Sequence, residues 1–495
     1  MSLPSLPNEC FSIILTFLDN KSLYKCLFIN RHYCKLSIPI VWRDPFFLPN
    51  SKKSSNSISL INTLLTCLDK DEVSSIISCI GNFDNKTPLF EYGKFIRKFN
   101  HDQCVKQVTN WLIINNQNPR GKKLIDAIYH MIMRVGSNLQ ELNIEITKSS
   151  YIELPEISIF TTYKSGISNL RSLYLHLTNN HILDYQDTKE FLSVISKFCN
   201  RIINFELCID GFYKFAKQIS DIIRLQPLER ICSCRNVISD LELEYRSETL
   251  KVLLFKDVER SIDLSFMSKL ECLEYFGLEF CYDAIFKHEI LNKRKLQLKE
   301  LKLWFCNITK EIISSLCNET LLKLTLWNIT PEIAKIIKES CPNIRSLCIQ
   351  FGTNNLFDST IPIICQLKSL KILDIKSFYR IDDNLLVRII GNYLISVEYL
   401  FFDFSIELSS FEYFTNNCKA NLKKWIITIS NISNNSLRKN YLICVNNFQR
   451  VHKSLKVLGI KEYWNWLDCT NEEREIIDSL KNQGIDVISC DELSL

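Results

Sequence analysis

The sequence predicts an α/β chain: a three-helix module at the N terminus, a helical lead-in, and a curved solenoid with parallel strands on its concave face and helices on its convex face. Three observations carry that expectation. A string of the form L-x-x-L-x-L recurs thirteen times between positions 139 and 455, at a mean period of about 26 residues, the spacing of stacked supersecondary units. The stretches between copies carry apolar residues at helical spacing. The first 45 residues hold three short helical runs separated by breakers.

The N-terminal module comes first. Phe11, Ile14, Leu15 and Leu18 recur at helical spacing until Asp19 and Asn20 interrupt them, with Asn8 as the expected N-cap and Glu9 in the first turn. A second helix is expected from Ser22 to Phe28. A third runs from Asn30 or Arg31 to Ser37, ended by Ile38-Pro39 because the residue before proline avoids the helical region. Such a small unit needs a partner or a neighbouring domain for stability.

The residues from Leu6 to Phe46 resemble an F-box, the motif through which substrate receptors dock on the Skp-type adaptor of cullin–RING ubiquitin ligases. The matching positions are Leu6-Pro7 and Glu9, then Ile13, Ile14 and Leu18, then Leu23 and Cys26, then Ile29-Asn30-Arg31, and finally Leu36, Pro39 and Trp42-Arg43. Tyr33 stands where the family most often has Trp, and Asn20-Lys21 where an acidic residue often precedes the second helix. The resemblance implies a docking surface made by Leu6, Pro7, Glu9, Ile13, Leu18, Leu23, Ile29 and Trp42, with cullin and RING subunits reached through the adaptor.

Residues 46–137 read as a helical linker and N-terminal cap for the repeats. Pro49 to Ser59 is polar, serine-rich and aperiodic, hence a loop or tether, whereas helices are expected after Ile58, from Cys104 to Asn115 and from Lys122 to Val135. No catalytic constellation is seen there.

The repeat array is expected over residues 138–468. Clear copies begin at Leu139, Leu170, Leu250, Leu298, Leu321, Ile344, Leu370, Val397 and Leu455, and weaker ones at Ile202, Leu228, Leu273 and Leu422. Alternate apolar residues bury one face of a short strand, and the intervening stretch returns as a helix or turn. Helical spacing is seen in 309–317, 331–341 and 382–393, with Thr330 capping a helix that Pro331 begins. No unit buries its own apolar face alone, so the units stack. The array resembles the leucine-rich-repeat family, particularly its cysteine-containing type, with Cys306 in the place given to Asn or Cys. Residues 469–495 read as a terminal cap: Thr470 and Glu473 form a capping box, Gly484 ends the helix, and a last strand begins at Ile485.

Composition narrows the chemistry. Sixty basic against 55 acidic residues give a formal charge of +5, too weak a bias for a nucleic-acid or membrane partner. Only 11 glycines occur, with no GxGxxG and no GxxxxGKS/T, so no phosphate cradle and no cofactor is expected. The 21 cysteines are sparse for a disulfide scaffold and sit in apolar runs, which suits reduced, buried thiols. CSC at 232–234 lacks paired CxxC units, so packing cysteine outweighs zinc there, and no metal is expected. His176 and His181 do not share a helix face. The N terminus carries no basic stretch before its apolar run, and no segment offers about 18 uninterrupted apolar residues, which favours the cytoplasm or nucleus and leaves the sequons at Asn85, Asn307 and Asn328 unused.

The repeat register orders the residues that turn away from the core. One column reads Trp304, Trp327, Gln350, Lys376, Asp403, Thr428, and the neighbouring columns add Lys302, Tyr399 and Phe401. Adjacent indoles on an open face are typical of interface hot spots. The reading is therefore a non-catalytic substrate-recognition adaptor of an SCF-type ligase. Trp304, Trp327, Lys302, Tyr399 and Phe401 are its expected contacts with a protein target. The alternative is a leucine-rich-repeat interaction scaffold outside any ligase, its F-box a structural cap. A solenoid enzyme or nucleic-acid binder is disfavoured.

Overall fold

The computed structural model describes residues 7–47, 54–80, 87–117, 121–136, 138–146, 153–178, 185–210, 212–235, 243–258, 262–282, 286–287, 296–307, 309–351, 356–377, 382–428, 435–461 and 470–489. The chain divides into two compact units, Met1–Leu250 and Lys251–Leu495.

The first unit opens with α1 (Asn8–Thr16), α2 (Asn20–Cys26) and α3 (Arg31–Val41). Leu15, Leu23 and Ile38 are buried between them, and the Phe11 ring meets Tyr33 edge-on at 5.7 Å. Asp19 caps α2 by accepting from the Ser22 N–H at 2.7 Å, and Asn30 caps α3 by accepting from Tyr33 at 2.9 Å. Two boundaries differ from expectation. Pro7, not Asn8, is the residue before α1, and it offers no side-chain cap. α3 runs through Pro39, because a proline in the last turn removes only one N–H and Trp42 still donates to the Ile38 carbonyl at 3.0 Å.

Four helices come next: α4 (Ser54–Thr66), α5 (Lys70–Ile80), α6 (His101–Ile114) and α7 (Lys122–Arg134). The loop expected over 49–59 gives way to α4 at Ser54, and residues 49–53 lie outside the described residues. α5 was not expected. Its start is fixed by a reciprocal cap in which Asp69 accepts from Glu72 N–H at 2.8 Å and Glu72 from Asp69 N–H at 2.7 Å. The buried Glu72 carboxylate also accepts from Arg134 (2.9 Å) and contacts His130 (2.6 Å), tying α5 to α7.

Among the described residues the sheet of this unit has five parallel strands, β1 (Lys98–Asn100), β2 (Glu141–Ile146), β3 (Ser172–Leu177), β4 (Asn204–Ile209) and β5 (Arg230–Cys234), in sequence order. β1 precedes the first repeat read from the sequence, so the ladder starts inside the segment assigned to the lead-in. In register across the ladder, Leu142, Leu173, Phe205 and Ile231 form one buried row. Helices α8 (Ile157–Thr162), α9 (Tyr185–Phe198) and α10 (Ala216–Leu225) connect the strands.

The second unit continues the pattern with β6 (Val252–Lys256), a short parallel pair of β7 (Ile262–Asp263) and β9 (Phe286–Lys287), and β8 (Tyr275–Glu279). It goes on through β10 (Glu300–Trp304), β11 (Lys323–Trp327), β12 (Ser346–Phe351), β13 (Ile372–Ser377) and β14 (Tyr399–Ser405). The last strands are β15 (Lys424–Thr428), β16 (Val457–Lys461) and β17 (Asp486–Ser489). Its main sheet has the order β6-β8-β10 and then β11 to β17 in sequence. Leu253, Phe276, Leu301, Leu324, Leu347, Leu373, Leu400, Trp425 and Leu458 stack in register as a continuous buried row. Between strands lie α11 (Lys310–Leu316), α12 (Pro331–Ser340), α13 (Phe357–Ile364), α14 (Asp383–Tyr393), α15 (Leu408–Asn417) and α16 (Asn435–His452). α12 begins at Pro331 and Thr330 accepts from the Ile333 N–H at 3.4 Å.

Each of the thirteen sequence copies carries a strand of these ladders. The last helix, α17 (Asn471–Asn482), has the expected capping box: Glu473 N–H donates to Thr470 Oγ1 at 3.2 Å and Thr470 N–H to Glu473 Oε2 at 2.8 Å. The fully buried Glu473 also receives Arg438 Nε at 3.1 Å, which joins α17 to α16. Gly484, at φ +82°, ends the helix in the left-handed conformation that suits glycine. Thr470→Ala should cost about 1 kcal/mol. A urea melt of the full chain checks this, and an unchanged midpoint contradicts it.

Candidate interaction surfaces

The N-terminal module turns much of its apolar content outward. Ile13 (58% exposed), Phe17 (82%), Phe28 (73%) and Ile29 (60%) face solvent, with Ile14 and Leu18 beside them, although α1 and α2 are amphipathic enough to bury only Leu15 and Leu23. Of the residues assigned to adaptor docking, Pro7, Glu9, Ile13, Leu18 and Ile29 are exposed. Leu23 is buried and serves the module's own packing. Trp42 is half-buried against Tyr92 at 4.4 Å, on the side of the module that meets the lead-in, where the Arg43 carbonyl accepts from the N–H groups of Arg97 and Lys98 at 2.9 Å each. Leu6 lies outside the described residues.

A second surface is the solvent side of the second unit's sheet. Trp304 and Trp327 stand on adjacent strands as the repeat register requires, both half-buried, with ring centroids 6.1 Å apart and planes at 77°. Lys302, two residues back on β10, is held by Glu279 at 2.6 Å. Lys376 Nζ lies 5.3 Å from the Trp304 ring. Between them Gln350 is fully buried, and neither atom of its amide has a hydrogen-bond partner among the described residues.

The strand ends add two residues that the repeat pattern alone passed over. The position after the last strand residue adopts positive φ at Asp257 (53°), Phe280 (58°), Phe305 (53°) and Asn328 (56°). Three of these N–H groups continue the ladder one step further: Asp257 donates to Glu279, Phe280 to Trp304 and Asn328 to Gln350, each at 2.8 Å. A left-handed conformation at a phenylalanine costs about 1–3 kcal/mol. It places Phe280 flat on Phe305 (4.9 Å, 15°) and Phe305 flat on Trp327 (3.7 Å, 28°), with Trp304 edge-on to Phe305 at 5.5 Å. Trp304, Phe305 and Trp327 thus form one aromatic ridge with Phe280, itself 42% exposed. The signal in the sequence was the aromatic-Cys pair at 280–281 and 305–306, whose thiols donate to the Glu279 and Trp304 carbonyls at 3.3 Å.

The other expected target contacts lie apart from this ridge. Tyr399 and Phe401 are on β14, four strands from β10, or about 19 Å at the usual strand spacing. Lys424 Nζ sits 5.8 Å from the Phe401 ring. The column expected to pass from Asp403 to Thr428 is broken, because β14 shifts register between Phe401 and Ser405 and Thr428 pairs with Ser405 instead. Asp403 forms an ion pair with Lys461 of β16.

In the first unit His101 is wholly buried between the Tyr129 hydroxyl (3.0 Å) and the Glu153 carbonyl (3.1 Å), and burial lowers its pKa to about 4, so it is neutral. His176 bonds the Glu206 carboxylate at 3.2 Å, which raises its pKa above the usual histidine value. His181 lies outside the described residues. Of the thiols expected to be buried, Cys104, Cys199, Cys232, Cys234, Cys306 and Cys341 are, whereas Cys10 and Cys272 are exposed and Cys26, Cys34, Cys67, Cys348, Cys365 and Cys444 half-buried. No described helix is long and apolar enough to cross a membrane.

No family model matches the chain, and no curated protein does either. Among solved structures, the complex of Rad7 and Elc1 from yeast is similar at 12% identity over 86% of this chain and 94% of that one, with a TM-score of 0.35. A leucine-rich-repeat protein of Leptospira interrogans is similar at 14% identity over 74% of this chain and 91% of that one, with a TM-score of 0.24.

Proposed function

We propose that the chain is the substrate-recognition adaptor of an SCF-type ubiquitin ligase, its F-box docking on a Skp-type adaptor and its repeat ladder holding a protein target. The observation that carries this reading is the set of exposed apolar side chains on α1 and on the turns that follow α1 and α2. A three-helix module so small gains from burying every apolar side chain it has, yet Ile13, Phe17, Phe28 and Ile29 are left to solvent in the stretch that resembles an F-box. Their covering by a partner's apolar helices removes that cost. The receptor then acts by proximity: it raises the target's effective concentration at the ligase, and the transfer chemistry belongs to the partner subunits.

The scaffold reading draws on Trp42, whose ring packs on Tyr92 at 4.4 Å. The two readings separate in a pull-down of the full chain with purified Skp-type adaptor, wild type beside a Leu6/Pro7 double alanine substitution. The ligase reading expects recovery from wild type and its loss from the variant. No recovery from wild type removes it.

A further inference from the structure

The solvent side of the first unit's sheet gathers donors that lie far apart along the chain. β3, β4 and β5 run parallel and in register, so Tyr174, Glu206 and Cys232 share one row and His176, Cys208 and Cys234 share the next. The alternation of a strand sends Glu206 and Cys208, and likewise Cys232 and Cys234, to the same face, while Leu207 and Ser233 between them point into the core. The carboxylate of Glu206 and the sulfurs of Cys232 and Cys234 all lie within 4.8 Å of one another. Cys208 is hydrogen-bonded to Cys234. His176 Nε2 meets Glu206 Oε1 at 3.2 Å.

The geometry points to a binding site for a thiophilic divalent cation, zinc by best match, ligated by Glu206, Cys232 and Cys234 with Cys208 as the fourth donor. Donors about 2.0–2.3 Å from a tetrahedral zinc stand about 3.5–3.8 Å from each other, so the Glu206, Cys232 and Cys234 donors, within 4.8 Å of one another, need to close by about 1 Å, and Cys208 adjoins them through Cys234. Thiolate-rich sets with one oxygen select zinc over magnesium or calcium, which demand oxygen ligands. Each thiol releases its proton to solvent as the metal–sulfur bond forms. His176, whose Nε2 meets Glu206 Oε1 at 3.2 Å, orients that ligand as an outer partner. One cation stands beside the site: Arg235 follows Cys234 directly in the left-handed conformation (φ 64°) and pairs with Asp210 at 3.0 Å.

Packing alone does not account for this arrangement. Thiols also meet in pairs at Cys281 and Cys306 and at Cys317 and Cys341, whereas here three thiols share a face with a carboxylate that already carries an imidazole. A CxC pair on one strand is not a zinc-finger spacing, but parallel register supplies from β4 what a second CxxC supplies in a finger. The metal clamps β4 to β5. The inference does not rest on the ligase reading.

The test is Co2+ titration of the full chain, purified under reducing conditions without chelator, read by the thiolate-to-metal charge-transfer absorption and by metal analysis. One equivalent bound with a thiolate band is expected, unchanged in C272S, whose thiol is exposed and remote on the chain, and lost in the C232S/C234S double variant. E206Q keeps the side-chain shape and leaves the thiols intact; it should weaken Co2+ binding at least about 10-fold, as should H176A. Absence of a thiolate band in wild type overturns the proposal, as does its persistence in C232S/C234S or full affinity in E206Q. A Cys208–Cys234 disulfide found by mass spectrometry in freshly purified protein overturns it as well.

Discussion

Ile13→Asp combined with Ile29→Asp should abolish recovery of the Skp-type adaptor while leaving the chain folded. Both side chains are more than half exposed in the isolated chain, so a carboxylate at either position stays hydrated and costs the fold little. In the complex the same carboxylates are driven into an apolar interface without a partner. Centrally placed anchors are worth about 2 kcal/mol or more each, so losing both weakens binding by about 1000-fold. Leu23→Asp is the instructive contrast: Leu23 is buried in the module, so its loss of adaptor binding should come with a lower melting temperature. Equal adaptor binding by wild type and the Ile13/Ile29 variant contradicts the docking face.

Target capture should fail in the Trp304→Ala/Trp327→Ala double variant, with adaptor binding intact. The two half-buried indoles are already fixed by stacking on the buried Phe305 ring, so a partner gains the indole area with little further ordering. At about 2 kcal/mol per anchor the double loss again amounts to about 1000-fold in affinity. Trp327→Phe keeps a ring on Phe305 and should retain part of the capture, which separates recognition from mere collapse of the ridge. The measurement is quantitative mass spectrometry of proteins co-purifying with wild type and each variant. An unchanged set of targets in the double variant contradicts the role given to the ridge.

The ladder was legible because the physics behind it is local and repeated. Each L-x-x-L-x-L string puts alternate leucines on one side of a strand, and Leu301, Leu324 and Leu347 pair in register as that alternation demands. The caps at Thr330 and Thr470 were equally legible, since one side chain and one backbone N–H three residues on define them. What was not legible depends on neighbours distant in sequence. β1 is three residues long and has no repeat of its own, and its assignment rests on pairing with β2 some 43 positions later. The register shift in β14, where Ser405 instead of Asp403 pairs with Thr428, is a feature no period reveals. Phe280 and Phe305 joined the ridge only because their backbones turn left-handed where the ladder extends past the strand.

The metal-ligating cluster shows the same limit in its sharpest form. Read along the chain, Cys232 and Cys234 are a CxC between apolar residues and Glu206 is a strand residue 26 positions earlier. Only the parallel register of β4 with β5 brings them onto one face. Of the residues proposed to dock on the adaptor, five face solvent, whereas the inward turn of Leu23 and the Trp42–Tyr92 contact required the packed structure.

The central claim is that the N-terminal apolar face belongs to an adaptor. Co-expression of the full chain with a Skp-type adaptor, followed by size-exclusion chromatography with light scattering, tests it most directly. The account predicts a stable one-to-one complex at the summed mass of the two chains, and elution of the chain alone, with the adaptor in a separate peak, contradicts it.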